Sequence, residues 1–125
     1  MRALTLFFGI FVLPLSLAQG QGLEGRWLSE EWDGVRSVIE ITVCEQGVCG
    51  TIVGAEGEDL PEDRLGHRLF WGFEARGDGT FSKGKLKPPG GAPQLSASIE
   101  DLSAERLVIR GCLLLICRNE TLIRL

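Results

Sequence analysis

The chain has 125 residues, 44% of them apolar, and a formal net charge of −4. That length supports one small core and not two. A mildly acidic balance is a poor match for nucleic acid or an anionic membrane, because both need basic surface.

Met1 to Ala18 reads as a secretory signal. Arg2 supplies a short positive start, and Leu4 to Leu17 is apolar apart from Thr5, Gly9, Pro14 and Ser16. Ser16-Leu17-Ala18 then offers the small residues that a signal peptidase requires. The apolar run is shorter than the ~20 residues of a span and is broken by Pro14. The expectation is an exported domain over residues 19–125, in a periplasm or outside the cell, with no transmembrane span. Losing Arg2 from 13 basic side chains leaves 12 against 17 acidic ones, a net charge of −5.

Leu23 to Ser29 reads as a short first strand, and Trp32-Asp33-Gly34 as its turn, since Asp-Gly is a strong hairpin signal. In the next segment Ile39, Ile41 and Val43 alternate with Val38, Glu40 and Thr42, the period of a half-buried strand. It runs through Cys44 and Cys49 into Thr51-Ile52-Val53. If the two cysteines face each other, Thr42 pairs with Thr51, Ile41 with Ile52 and Val43 with Gly50. Ile39, Ile41, Val43 and Ile52 then share one face.

Glu56 to Arg64 is acidic and aperiodic, the longest loop in the chain. Leu69-Phe70-Trp71-Gly72-Phe73 resumes as an aromatic strand, and Arg76-Gly77-Asp78-Gly79 turns it into Thr80 to Leu86. The proline-rich stretch from Pro88 to Pro93 breaks the sheet again. Gln94 to Glu100, Glu105 to Cys112 and Cys117 to Leu125 complete the set. About eight short strands predict an all-β fold, an antiparallel sandwich or a closed barrel, and connections that are almost all hairpins favour a small antiparallel up-and-down β-barrel.

The cysteine spacing repeats as Cys44-x4-Cys49 and Cys112-x4-Cys117. Residues five apart on a straight strand point to opposite faces, whereas across a four-residue hairpin loop they meet. An exported chain with an even cysteine count therefore predicts Cys44–Cys49 and Cys112–Cys117 disulfides. Neither C-x4-C pair has zinc-knuckle or redox-motif spacing.

Gly25-x-Trp27 on the first strand, with Arg124 on the last, is similar to the lipocalin-type barrel closure, in which an arginine covers a buried indole. Together with Val38-x-Ile-x-x-x-Cys44-x4-Cys49-Gly50-x-Ile52-Val53 and Val108-x-Arg110-Gly111-Cys112, this resembles the bacterial exported family known as domain of unknown function 2147. The resemblance runs from about Leu23 to Leu125. It implies a lipocalin-like or streptavidin-like barrel in the envelope or outside the cell. The family often carries Tyr-Asp-Pro where this chain has Leu86-Lys87-Pro88, and Thr-Trp-Thr-Arg where it has Thr121-Leu122-Ile123-Arg124.

Candidate sites are few. His67 is the only histidine and, beside Arg68, reads as a solvated loop residue; no serine sits in a nucleophile elbow, so a Ser-His-Asp triad has no footing. The acidic loop lacks the alternating oxygen ligands of a calcium loop. Catalysis, a cofactor and a metal are therefore not expected. Facing Cys112 with Cys117 puts Arg118 and Glu120 on one face with Leu107, Ile109 and Leu122, which is the composition of a small-ligand pocket. Trp71 and Phe73 join Arg118 and Glu120 as expected ligand contacts. Between the cysteines, Leu113-Leu114-Leu115-Ile116 forms an apolar tip that caps its own core, pairs with a second copy or meets a partner. The leading expectation is a carrier of a small apolar or amphipathic ligand, and the alternative is an envelope inhibitor or assembly factor acting through the tip and the acidic loop. Against a roomy cavity stands the short barrel, which its own aromatics could fill.

Overall fold

A computed structural model describes residues 22–57 and 60–125. The segment read as a signal, like Glu58 and Asp59 of the acidic loop, lies outside the described residues. Nine strands follow in order: β1 (Gly25–Trp32), β2 (Val35–Cys44), β3 (Gly47–Glu56), β4 (Arg68–Trp71), β5 (Glu74–Ala75), β6 (Phe81–Leu86), β7 (Leu95–Leu102), β8 (Arg106–Leu113) and β9 (Ile116–Arg124). Each pairs antiparallel with its neighbour, and β1 returns to β9, so the sheet closes on itself. Both β4 and β5 pair with β6. They are two pieces of one strand interrupted at Gly72-Phe73, and the architecture is a closed eight-stranded up-and-down barrel. Closure removes the unpaired edges that an open sheet of this size would expose.

The interior follows from the alternation. Ile39 faces Ile52, Ile99 faces Ile109, and Leu107 faces Leu122, and all six are buried. Two rings fill the middle of the barrel where glycines make room. A Cβ at Gly50 would meet the Phe70 ring at 2.3 Å, and one at Gly84 would meet Phe73 at the same distance. Phe70 and Phe73 pack edge to face with centroids 5.5 Å apart, a favourable aromatic geometry.

The two ends differ. At one, Trp27 is fully buried beside Leu23 and its indole N–H donates to the Leu23 carbonyl at 2.8 Å. The Arg124 guanidinium lies 4.2 Å from the Trp27 ring centroid. It also donates to the carbonyls of Glu24 at 2.9 Å, Ala104 at 2.6 Å, and Gly22. Gly25 is required here. Its φ is +132°, and a Cβ would sit 2.9 Å from Arg124 Nη1. The expected closure by Gly25, Trp27 and Arg124 is thus present.

Both expected disulfides are present. The register of the second is the expected one, with Cys112 opposite Cys117 and Leu113 opposite Ile116. The first hairpin differs. Cys44 pairs with Gly47 and Thr42 with Cys49, while Ile41 faces Gly50 and Val43 faces Val48. Gly47 takes φ +93°, so the chain reverses over Glu45-Gln46 alone and the disulfide runs diagonally. The slip is two residues, so each side chain keeps its face; Ile39, Ile41 and Ile52 stay inside, while Val43 at the strand end is exposed.

Candidate functional site

The end opposite Trp27 is open. It gathers the β1–β2 turn, the β3–β4 loop, the β6–β7 loop and the tip of the β8–β9 hairpin. The β1–β2 turn is Asp33-Gly34, with φ values of +53° and +82°, the left-handed pair that a tight hairpin uses. It places Trp32 at the rim.

Below the rim is a cavity of about 280 Å³, at the lower edge of ligand-site volumes. At ~30 Å³ per water-sized group it holds about nine non-hydrogen atoms. Leu69, Phe70, Leu86, Leu95, Ile109 and Leu122 make its wall apolar, and Pro88 and Pro89 lean in from the β6–β7 loop. Phe70 is its floor. Gly111 keeps it open on the β8 side, because a Cβ there would already stand 3.0 Å from Leu86 and 3.2 Å from Leu95.

Polar groups are confined to the mouth. The Trp32 indole N–H donates to Glu120 Oε1 at 2.8 Å. Arg64, from the loop after β3, is buried at the rim; it donates to Asp33 Oδ2 at 2.9 Å and to the Trp32 carbonyl at 3.3 Å. Arg118 also lines the mouth, and among the described residues no carboxylate lies within ion-pair distance of it. Two of the four charged groups are thus committed to the barrel rim, Glu120 holds the indole, and Arg118 remains available.

The acidic loop is anchored more firmly than its composition foretold. Besides Arg64, the Gly66 N–H donates to the Ile52 carbonyl at 2.8 Å and the Ile52 N–H to the His67 carbonyl at 3.0 Å. The expectation of a simply solvated His67 is corrected: its Nε2 bonds the Lys87 carbonyl at 2.6 Å, tying the β3–β4 loop to the β6–β7 loop along the rim, where β4 and β6 are neighbours.

Of the four expected ligand contacts, the structure brings Arg118 and Glu120 to the cavity and leaves Trp71 and Phe73 off it. Phe73 is buried deeper, over Gly84. Trp71 is opposite Lys85 on the other face of β4 from Phe70. The cause is Gly72, whose φ of +84° breaks the alternation, so Phe70 and Phe73 share the interior. Trp32, Arg64 and the Pro88-Pro89 corner were not anticipated as cavity residues. The one signal was Trp32 directly before an Asp-Gly turn, which sends a large ring to a barrel end. The apolar tip does not cap the core: Leu114 is 92% exposed, Leu115 98% and Ile116 76%. Among the described residues no cluster of three or more metal-ligating side chains occurs.

A meander barrel with one end closed by an arginine-covered tryptophan and the other open into an apolar cavity is a lipocalin-like barrel. In agreement, the solved structure of protein HP1028 from Helicobacter pylori, described as belonging to the lipocalin family, is similar with a TM-score of 0.67. The likeness covers 82% of each chain at 12% sequence identity, and it shows the fold. The sequence matches the family described as an uncharacterized protein conserved in bacteria (DUF2147) over residues 25–124, and the chain belongs to that family. No curated protein matches the sequence.

Proposed function

We propose that the protein is an exported, non-catalytic carrier of a small amphipathic ligand held in the open end of the barrel. The observation that carries this reading is the pairing of an apolar cavity of about 280 Å³ with a guanidinium at its mouth, Arg118, that pairs with no carboxylate among the described residues. An apolar body of about nine atoms would displace water from Phe70 and the leucine wall. A polar or anionic end would reach Arg118 without competing for Glu120, whose Oε1 takes the Trp32 indole N–H. The two disulfides fit the oxidising compartment that the N-terminal segment implies.

Octanoate is a suitable probe, since its size is close to the cavity's capacity of about nine non-hydrogen atoms, and Trp32 is the reporter because it lines the site. The expected result is a saturable change in tryptophan emission, weakened at least tenfold by Gly111→Leu, which fills the cavity. Arg118→Gln should weaken octanoate while leaving 1-octanol unchanged. Saturable binding that ignores Gly111→Leu would remove the cavity from the account.

A second reading, an envelope protein-interaction module, draws on the exposure of Leu114 and Leu115. Salt-sensitive capture of a basic protein, lost on charge reversal of Glu62 and Asp63, would favour it.

A further inference from the structure

The tip of the β8–β9 hairpin carries two costs at once. Leu114 and Leu115 are almost wholly in solvent, and Leu114 holds φ +57°, a conformation that glycine or asparagine adopts far more readily than leucine. A hairpin needing only to turn would place a small or polar residue here. The Cys112–Cys117 bridge stands directly behind this tip and fixes it as a rigid projection.

Charge is divided around the barrel. No acidic residue occurs between positions 79 and 99, where Lys83, Lys85 and Lys87 lie, nor between 106 and 119, where Arg106, Arg110 and Arg118 lie. At the open end Glu31, Asp33, Glu56, Glu62 and Asp63 lie on β1, β3 and the loops after them, while Glu30 and Glu120 stand at the β1–β9 seam and accept from the Thr121 N–H and the Trp32 indole N–H. The whole-chain charge therefore hides a basic arc, and the apolar tip rises from it. Lys85 faces Ser96, and Ser96 faces Cys112, which sets that ammonium on the rung of the disulfide. Arg118 is two residues behind Ile116, about 7 Å at strand spacing.

We propose that the Leu113–Ile116 tip is a docking wedge that seats in the headgroup layer of an anionic lipid bilayer, with Lys85, Arg110 and Arg118 at the level of the phosphates. The depth agrees with the 5–10 Å over which interfacial segments bury apolar side chains, and basic groups just behind such a segment are attracted to anionic lipid. A second copy fits less well, because a stable protein contact engages about 20–30 residues a side and the tip offers four. Seated in this way, the protein presents its cavity mouth, one rung from the disulfide at Gly111 and Arg118, to the lipid surface. The wedge stands whether or not the cavity carries a ligand.

Vesicle flotation of the oxidised protein tests it. Binding to phosphatidylglycerol–phosphatidylethanolamine vesicles is expected, falling with added salt. Leu114→Gly/Leu115→Ser should reduce the bound fraction at least tenfold while leaving stability equal or higher, since Gly-Ser suits a turn with a left-handed first residue. Lys85→Gln/Arg110→Gln should weaken binding to those vesicles several-fold and leave any binding to pure phosphatidylcholine unchanged. Absent flotation, or flotation indifferent to the tip variant, would overturn the wedge. A tip-dependent dimer or a captured protein, in place of vesicle binding, would overturn it equally.

Discussion

Gly25 and Arg124 occupy space that only the two together can share. The positive φ of Gly25 and the 2.9 Å left for a Cβ beside Arg124 Nη1 mean that any side chain at position 25 displaces the guanidinium from Trp27. Gly25→Ala is expected to cost about 1–3 kcal/mol in urea denaturation. Arg124→Lys should cost a comparable ~1–2 kcal/mol, because an ammonium cannot serve the carbonyls of Gly22, Glu24 and Ala104 while lying over the indole. If Arg124→Lys left the midpoint unmoved, the closure would be ornament to an already stable barrel end. Neither variant should alter ligand affinity, since both lie at the far end from the cavity.

At the scale of elements the two hairpin disulfides are chemically alike and structurally different. Each closes a loop only five residues apart in sequence, so the chain-entropy contribution is about 2 kcal/mol apiece. Cys112→Ser/Cys117→Ser should lower stability by no more than about that amount, keep the barrel, and speed hydrogen exchange at the amides of Leu113 to Ile116. Loss of the whole fold would contradict a local role. The second hairpin was legible because Cys112 opposes Cys117 directly, so counting back from the bridge put Arg118 and Glu120 on the face of Ile109 and Leu122. The first was legible in its faces but not in its pairing. Spacing cannot reveal that Gly47 tightens the turn by two residues and tilts the bridge. The same kind of event, at Gly72, brought Phe73 onto the face of Phe70 and so parted it from Trp71. Isolated glycines inside strands mark such breaks without saying which side of the sheet the next residue takes.

For the whole molecule, strand count, meander order and closure followed from alternation and turn residues, while the cavity did not. The sequence carries enough aromatics to fill a narrow barrel, and the middle is indeed filled, by Phe70 and Phe73 above Gly50 and Gly84. The open end stays hollow because Gly111 contributes no side chain and Pro88-Pro89 holds the β6–β7 loop at the rim. Such a balance depends on distances between strands remote in sequence. The division of charge was equally hidden, since a net value averages over arcs that only ring closure separates.

The open end is proposed to hold a small amphipathic molecule. Native mass spectrometry of the oxidised protein, purified from its own compartment, addresses it most directly. A retained small mass is expected, leaving on denaturation and missing from Gly111→Leu. A protein consistently empty, or a retained mass unaffected by Gly111→Leu, would contradict it.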